Sequence, residues 1–381
     1  MKETYIFAAK RTPFGKFRGK FAAKSAVELG ELALKGALTE LDLDPQKLDA
    51  LYLGNVIQTG LKQNPARQIA LNSGMREETT AMVINQVCGS SLKAVRVAEG
   101  LLNLGDVELV AVGGTESMTN APKFQDATGE LQNSLMADGL NDAFSGAAMG
   151  VTAENIAEKY QISRSAQEEF TVNSHQKAAA AVGKNWFADE IIPVIVANEE
   201  FTTDEVIRPE TNLEKLATLK TIFKEDGTVT AATSSALTDG ASMLILGTKE
   251  AGIKNGLKPL AKLTGYGEIG MDPNLMGYAP VYAIQKLLAQ TKTTLADYDL
   301  FEINEAFAAQ AIAVQQDLAL PAEKLNIAGG ALALGHPLGA TGTRLLTTLI
   351  NNLRQTHQQR GIASLCIGGG MGIAYAVEVL A

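Results

Sequence analysis

The chain contains an internal repeat, which limits the folds that it can adopt. The segment ALKGALTELDLDPQKLDALYLGNV, starting at Ala33, aligns without a gap with AIQKLLAQTKTTLADYDLFEINEA, starting at Ala283, 250 residues later. Each copy has a helical pattern, a polar turn with an aspartate (Asp49 or Asp299) and a short apolar strand. The repeat therefore predicts a duplicated α/β fold.

A second echo pairs LVAVGGTESM (109–118) with SLCIGGGMGI (364–373), each an apolar strand that runs into glycines. The stretch between the two similar regions is richer in Asn, Asp, Thr and Lys, and we interpret it as an inserted loop domain. Such insertions often contact ligands, although a plain elaboration is the alternative. The predicted parts are an N-terminal half of residues 1–117 and 241–260, a loop domain of residues 118–240, and a C-terminal half of residues 261–381.

Composition excludes several classes of function. The 381 residues are 46% hydrophobic and 20% charged, enough for a large core. A net charge of -9 with no long Lys/Arg block gives no support to nucleic-acid or membrane binding.

The N-terminus carries charge too early for a secretory signal, so we expect a cytoplasmic protein. Two cysteines and three histidines form no CxxC or HExxH motif, and neither GxGxxG nor a Walker loop is present, so no metal or nucleotide cofactor is predicted.

One of the two cysteines lies in AMVINQVCGSSLKAV, residues 81–95. AMVIN is typical of a buried strand, and apolar residues from Leu92 to Leu102 recur at helical spacing, so Cys88 is predicted at the N-terminus of a helix. Free N–H groups and the helix dipole there favour a nucleophilic thiolate and can bind an oxyanion. Taken alone, a cysteine in this setting is more often a small buried hydrophobe.

Three other polar residues lie where strands or loops end. His336 stands in GHPLGATG, before a helix predicted from about Thr341. Cys366 follows the strand IASL and precedes glycines, and Asn304 ends a strand in EINEAFA. Each has an ordinary structural explanation, as a surface histidine, a strand-end thiol or a turn residue. Together they matter because both halves of a duplicated α/β fold can direct strand ends at one crevice.

The sequence resembles the thiolase family, and within it the acetyl-CoA acetyltransferases. The resemblance runs nearly end to end and includes, in the family's order, RTPFGKFRG, QNPARQIAL, NQVCGSSLKA, GGTESMTNAP, MGVTAEN, DGTVTA, NEAFA, GGALALGHPLGATG and CIGGGMG. It implies a duplicated five-layered α/β/α/β/α fold with an inserted loop domain.

The resemblance also implies roles for the residues above. Cys88 would carry the acyl group as a thioester, His336 would take its proton, and Cys366 would be the acid and base for the other substrate. Asn304, through a held water and with His336, would form one oxyanion hole, and the backbone N–H groups of Cys88 and Gly368 the other. The residues implied to contact CoA are Arg208, Ser235, Met149, Phe223, Met276 and Phe307, with core packing as the alternative for the apolar ones.

Four departures from the family pattern stand near these motifs. Ser91 replaces a glycine, Thr238 replaces the Asn of an NDG motif, and Lys215 replaces a serine near the nucleotide. Ala148 replaces a histidine found in many biosynthetic members, which removes a polar wall from the acyl pocket. The first two touch no charge-bearing group, so we expect activity to survive them.

The function predicted from this resemblance is acetyl-CoA C-acetyltransferase, with acetyl-CoA, acetoacetyl-CoA and CoA as partners and a ping-pong mechanism. A degradative 3-ketoacyl-CoA thiolase acting on longer chains is the close alternative, and a non-catalytic acyl-CoA-binding protein is the remote one. A homo-oligomer, a dimer or a tetramer, is expected. A regulatory disulfide between Cys88 and Cys366 would need Cα atoms within about 7 Å of each other, or a mobile backbone.

Overall fold

The computed structural model describes residues 3–380. The strands β1 to β14 are Tyr5–Arg11, Gly15–Lys16, Ala50–Gly54, Thr80–Ile84, Leu109–Ser117, Lys123–Gln125, Leu131–Asn133, Val194–Val196, Glu199–Phe201, Thr238–Gly247, Ala261–Gly270, Leu300–Ile303, Arg360–Ile367 and Met371–Val379. The α-helices α1 to α11 are Ala26–Leu41, Pro65–Asn72, Ser90–Leu104, Met149–Lys159, Arg164–Gly183, Leu213–Ala217, Lys249–Lys254, Ala279–Thr291, Ala308–Asp317, Ala331–Leu334 and Thr341–Gln355. Short 3₁₀ turns occupy Pro45–Lys47, Pro273–Tyr278, Leu295–Asp297 and Leu338–Ala340, and Leu135–Leu140 is a π-helical turn.

Ten strands form one mixed sheet made of two similar parts. Its order is β12-β13-β14-β11-β1-β10-β5-β3-β4, and β2 pairs with β10. The two parts meet at β1 and β11, where Tyr5 pairs with Lys262 and Ile6 with Ala261. In both parts a parallel pair, β3–β5 or β12–β13, lies beside an antiparallel strand, β10 or β14. The two halves therefore share one strand pattern, as the repeat predicts.

Side chains that alternate between the two faces of the sheet pack against helices on either side, and this packing forms the layers of the fold. Along β5, Val110 and Val112 join a central apolar cluster, whereas Leu109 and Ala111 face a second cluster beneath α1 and α2. Strand β14 divides in the same way between the central cluster and a third one beneath α8 and α9. Helices α3 and α11 pack together between the two parts of the sheet. Period-two patterning with both faces buried confirms the predicted α/β/α/β/α layering.

The Asp residues of the repeat confirm its register. Asp49 Oδ2 accepts hydrogen bonds from the backbone N–H groups of Glu108 and Leu109, and Asp299 Oδ2 accepts them from the backbone N–H groups of Gln359 and Arg360.

The predicted alignment of residues 109–118 with residues 364–373 was wrong by four residues. Ala50 pairs with Val110 and Leu300 with Gly361, so β5 and β13 correspond at an offset of 251 instead of 255. The cause is that glycines 113 and 114 lie within β5, whereas glycines 368–370 form the turn after β13.

Residues 118–240 leave the N-terminal half after β5 and return at β10. They contain two small hairpins, β6–β7 and β8–β9, and the helices α4 to α6. Helices α4 and α5 pack against α9 of the other half, so this segment bridges the two halves. The exact bounds of the three parts stay a prediction.

Strand β4 differs from the expected buried strand. It is the last strand at one end of the sheet, its residues are only partly buried, and the Met82 side chain is 40% exposed.

The predicted helices after Cys88 and from Thr341 are confirmed as α3 and α11. Between residues 3 and 380, no helix combines the length and the apolar character needed to cross a bilayer.

Candidate active site

A cavity of about 410 Å³ lies where the two halves meet. Cys88 enters it from the N-terminal half, and His336 and Cys366 enter from the C-terminal half. Most of the other lining side chains are apolar. The apolar ones include Met118, Met136, Leu140, Ala148, Met149, Phe223, Leu237, Met276, Phe307 and Leu338, and Ser235 is a polar member of the lining. The repeat therefore brings three predicted reactive residues, far apart in sequence, into one apolar pocket.

A tight turn presents Cys88 at the start of α3. Val87 has a φ of 46°, a left-handed conformation that is a true outlier for a β-branched residue. The Ser90 hydroxyl holds the turn, since it donates to the Val87 carbonyl at 2.6 Å and accepts from the Gln86 N–H at 2.9 Å. Such strain persists only where the surroundings enforce it, and it is typical of functional sites. Nothing in the sequence identifies Val87 as the strained residue.

His336 links the residues of the pocket. Its Nε2 lies 3.3 Å from Cys88 Sγ and 3.5 Å from Asn304 Nδ2, and its Nδ1 lies 2.6 Å from Thr341 Oγ1. The Thr341 hydroxyl donates to the Pro337 carbonyl at 3.0 Å, so its oxygen is left to accept the proton on Nδ1. This network assigns a free lone pair to Nε2, the nitrogen that faces the thiol.

Burial keeps both members of the Cys88–His336 pair neutral. It lowers the pKa of His336 to about 3, with the charge of Arg344 acting in the same direction. It raises the pKa of Cys88 to about 12, although the backbone N–H groups of Gly368 and Cys88 point at the sulfur and oppose the rise. The N–H groups at the helix start act in the expected direction, towards the thiolate, but desolvation outweighs them. The neutral imidazole has a lone pair at Nε2 that can accept the thiol proton, although its lowered pKa makes it a weak base at rest.

Cys366 and Asn304 complete the group from the C-terminal half. Cys366 lies near the end of β13, is 1% exposed, and has its pKa raised by burial and then by the nearby Cys88. Both cysteines are free thiols in this structure. Asn304 is fully buried, and its Oδ1 has no protein hydrogen-bond partner. Only this oxygen is left without a partner, because Nδ2 approaches His336, and Asn304 itself is not among the residues that line the cavity.

Five of the six side chains expected to contact CoA line this cavity, namely Met149, Phe223, Ser235, Met276 and Phe307. Phe223 and Phe307 meet edge to face, with ring centroids 6.1 Å apart. Arg208 is not among the lining residues. It is exposed, and its backbone N–H donates to Nδ1 of His175 at 3.2 Å.

The four residues that depart from the family pattern lie at different distances from the cavity. Ala148 lines the cavity directly, just before α4. Ser91 lies behind the pocket, where its Oγ accepts from the Thr343 N–H at 3.0 Å and so ties α3 to α11. Thr238 packs against Gly335, whose φ of 97° a side chain would not tolerate. Lys215 lies on α6, outside the cavity lining.

Sequence reasoning missed Thr341 and Glu116. Thr341 stands five residues after His336, and only the fold shows that its hydroxyl meets the ring. Glu116, near the end of β5, is fully buried and accepts one hydrogen bond, from the Gly339 N–H of the loop that carries His336. The available signal was a carboxylate in the strand that continues the apolar run LVAV, since buried acidic residues are rare unless they are paired.

Comparisons with known proteins agree with this geometry. Residues 4–250 match the family model of the thiolase N-terminal domain, and residues 257–379 match that of the thiolase C-terminal domain. A probable acetyl-CoA acyltransferase of Staphylococcus aureus is 42% identical, with 99% of each chain covered. The acetyl-CoA acetyltransferase of Cupriavidus necator is also 42% identical, covering 99% of this chain and all of that one.

Two solved structures share the fold. The acetyl-CoA acetyltransferase of Bacillus anthracis superposes with a TM-score of 0.97 at 38% identity, covering 100% of this chain and 99% of that one. Human mitochondrial 3-ketoacyl-CoA thiolase in complex with CoA superposes with a TM-score of 0.96 at 38% identity, covering 100% and 98%.

Proposed function

The chain belongs to the thiolase family and is an acyltransferase, and from that premise we propose that it is an acetyl-CoA C-acetyltransferase. In the proposed reaction two acetyl-CoA molecules reversibly form acetoacetyl-CoA and free CoA. The observation that carries the proposal is the approach of His336 Nε2 to within 3.3 Å of Cys88 Sγ, in a pocket that also holds Cys366.

In the first proposed step, the Cys88 sulfur attacks the thioester carbonyl carbon while its proton passes to His336 Nε2. A thiol with a pKa of about 12 has almost no thiolate at neutral pH, so attack requires this base. As the tetrahedral intermediate collapses, the C–S bond to CoA breaks, and Cys366 gives its proton to the departing sulfur. Acetylated Cys88, an imidazolium at His336 and a thiolate at Cys366 remain.

In the second proposed step, the Cys366 thiolate removes a proton from the methyl group of a second acetyl-CoA. Burial raises the pKa of this thiol, which makes its thiolate a strong base for a weak carbon acid. The new carbanion attacks the acetyl carbon on Cys88, the C–S bond to the enzyme breaks, and the released thiolate recovers the proton from His336. The N–H groups of Gly368 and Cys88, and Asn304 with His336, would stabilise the oxyanions. The proposed reaction uses no metal or further cofactor.

A degradative 3-ketoacyl-CoA thiolase is the second candidate, and one observation favours it. The pocket wall near Cys88 is built by Met118, Met136, Leu140, Ala148 and Leu338. Burying each added methylene against such a wall stabilises a longer chain by up to about 0.8 kcal/mol. The human thiolase that shares this fold is named for 3-ketoacyl-CoA.

The test is the rate of CoA-dependent cleavage of 3-ketoacyl-CoA substrates of increasing chain length, with a Cys88→Ala control. A sharp preference for acetoacetyl-CoA that disappears in the control supports the acetyltransferase. Equal or faster cleavage of longer chains identifies the degradative enzyme. If no substrate is cleaved, both proposals are wrong and a binding protein is the remaining candidate.

The proposed enzyme is a homo-oligomer, a dimer or a tetramer. Support comes from β4, whose outer edge ends the sheet with partly exposed apolar side chains, because an uncovered edge strand tends to pair with another chain. Light scattering after gel filtration would give the assembly state. A cytoplasmic location stays a prediction.

A further inference from the structure

Glu116 is a fully buried carboxylate whose partners are all N–H groups. Its Oε1 accepts from Asn55 Nδ2 at 3.0 Å and from the Ile57 N–H at 3.1 Å. Its Oε2 accepts from the Val56 N–H at 3.1 Å and from the Gly339 N–H at 2.9 Å. Among residues 3–380, no Lys, Arg or His forms an ion pair with it. Burial raises the pKa of Glu116 to about 7, whereas the N–H groups of Ile57, Gly339 and Val56 oppose the rise. Four donors suit an acceptor-only group, so the hydrogen bonds favour the ionised carboxylate.

The contact with Gly339 connects Glu116 to the base. Gly339 lies three residues after His336 and two before Thr341, whose hydroxyl fixes the His336 ring. The backbone of Gly339 also packs closely on the N-terminal half, since a Cβ at Gly54 would lie 2.6 Å from its carbonyl oxygen. The carboxylate therefore ties the histidine loop, residues 336–340, to the ends of β3 and β5. Cys88 belongs to that same half.

We infer that Glu116 is a positioning residue, which holds the histidine loop against the N-terminal half and thereby sets the approach of His336 Nε2 to Cys88 Sγ. This inference rests on the proposed function only in naming His336 as the base for Cys88. A shift of about 1 Å between reacting groups can cost about 100-fold in rate, so a buried clamp at this point has a large effect on turnover.

The negative charge of Glu116 also acts on the pKa of Cys88. Its effect on the reactivity of Cys88 is opposite in sign to the effect of holding the histidine loop. Together with burial, which is the main cause, it raises the pKa of Cys88. Removing only a charge effect would make Cys88 more reactive, whereas releasing the loop would make it less reactive. These opposite expectations separate positioning from electrostatics.

The experiment compares Glu116→Gln with the wild type and with Asp239→Asn. Asp239 is a buried carboxylate on the neighbouring strand β10 that accepts from Thr119 and makes no hydrogen bond to the histidine loop. Its charge also acts on Glu116, so Asp239→Asn controls both for a general loss of stability and for a lost charge near Glu116. In Glu116→Gln the amide –NH₂ must face N–H donors and displaces the loop. Two readouts are used: kcat and KM with the best 3-ketoacyl-CoA substrate, and the iodoacetamide alkylation rate of the Cys88 peptide at pH 7.

We expect Glu116→Gln to lower kcat about 10- to 100-fold with little change in KM, and to slow alkylation of Cys88. Asp239→Asn should change neither by more than about twofold. Wild-type or faster alkylation with unchanged kcat in folded Glu116→Gln overturns the inference, as does an equal loss in Asp239→Asn. Should Glu116→Gln fail to fold, Glu116→Asp, which keeps the charge but shortens the reach, gives the same test. If the wild type cleaves no substrate, the proposed function fails, and alkylation alone decides on Glu116.

Discussion

The two halves have the same framework but contribute different groups to the pocket. Helices α3 and α11 occupy equivalent places, each packed between the two parts of the sheet. At an offset of 251, Cys88 before α3 corresponds to Gly339 before α11. The N-terminal turn thus supplies the thiol, and the C-terminal turn supplies the base, His336. Duplication alone gave two similar helix starts, and the pocket arises because the segments before them differ: strand β4 precedes α3, whereas α10 and a 3₁₀ turn precede α11.

The connections that follow β5 and β13 differ between the two halves even more than the starts of α3 and α11 do. In the C-terminal half, β13 turns directly into β14 through glycines 368–370, two of which have positive φ. This short turn places Cys366 and the Gly368 N–H beside Cys88. In the N-terminal half, the equivalent connection is residues 118–237, which supply much of the apolar wall. One half therefore contributes reactive groups through a tight turn, and the other contributes substrate contacts through a long one.

Replacing His336 with alanine gives the largest expected effect, because it removes the contribution of the C-terminal turn. Burial raises the pKa of Cys88 to about 12, so almost no thiolate is present at pH 7 without a base. We expect kcat to fall by about 10³- to 10⁴-fold, and the alkylation rate of Cys88 to fall with it. The exposed His357, replaced by alanine, is the matched control. Alkylation at the wild-type rate in His336→Ala would show that His336 of the C-terminal half is not the base that activates Cys88 of the N-terminal half.

The second prediction compares one helix position in the two halves. Arg344 on α11 forms a fully buried ion pair with Glu302 at 2.9 Å, and the equivalent Lys93 on α3 forms a partly exposed one with Glu268 at 2.7 Å. Burial raises the pKa of Glu302 to about 8 even beside Arg344, so removing Arg344 leaves a buried carboxyl that must either stay charged without a partner or take up a proton. Arg344→Met should therefore lower the free energy of unfolding by about 3–5 kcal/mol. Lys93→Met should lower it by about 0–1 kcal/mol.

Urea denaturation of both variants measures the difference. The double variant Glu302→Met/Arg344→Met removes both charges of the pair, and we expect it to recover much of the loss. Equal losses in Arg344→Met and Lys93→Met would mean that burial does not distinguish the two helix positions.

The sequence predicted the fold well because the evidence for it was distributed over the chain. The gapless repeat, the period of apolar residues from Leu92 to Leu102 and the helix start at Thr341 each depend on local patterning, which the structure preserves. The register of β13 was not predictable in this way. A glycine pair inside a strand and a glycine run in a turn look alike in sequence, although their backbone requirements differ.

The site was predicted less completely, for physical reasons. Which residues meet in the pocket followed from the family motifs, but the charge state of Cys88 depends on burial, which a local sequence does not display. The left-handed Val87 and the hydrogen bond from His336 to Thr341 arise from tertiary packing. Arg208 lies outside the cavity lining because its segment is placed by contacts with α5, including the one with His175.

The third prediction concerns pH and the two buried histidines, one in each region of the molecule. Burial lowers the pKa of His175, in the loop domain, to about 4 and that of His336 to about 3, below the ordinary value of 6.5. The unfolded chain therefore binds more protons between pH 6.5 and these values, so the free energy of unfolding should decrease as pH falls through that window. From pH 7 to pH 5, His175 should contribute a loss of at most about 2 kcal/mol.

The variant His175→Asn isolates this effect. The asparagine oxygen can still accept the N–H of Arg208, which donates to Nδ1 at 3.2 Å, but it does not titrate. Urea denaturation of both proteins at pH 7 and pH 5 should show a smaller decrease in the variant. His357→Asn, at the exposed histidine, should keep the wild-type decrease. If His175→Asn also keeps it, protonation of His175 does not couple to unfolding, and among the three histidines the pH dependence would rest on His336 in the C-terminal half.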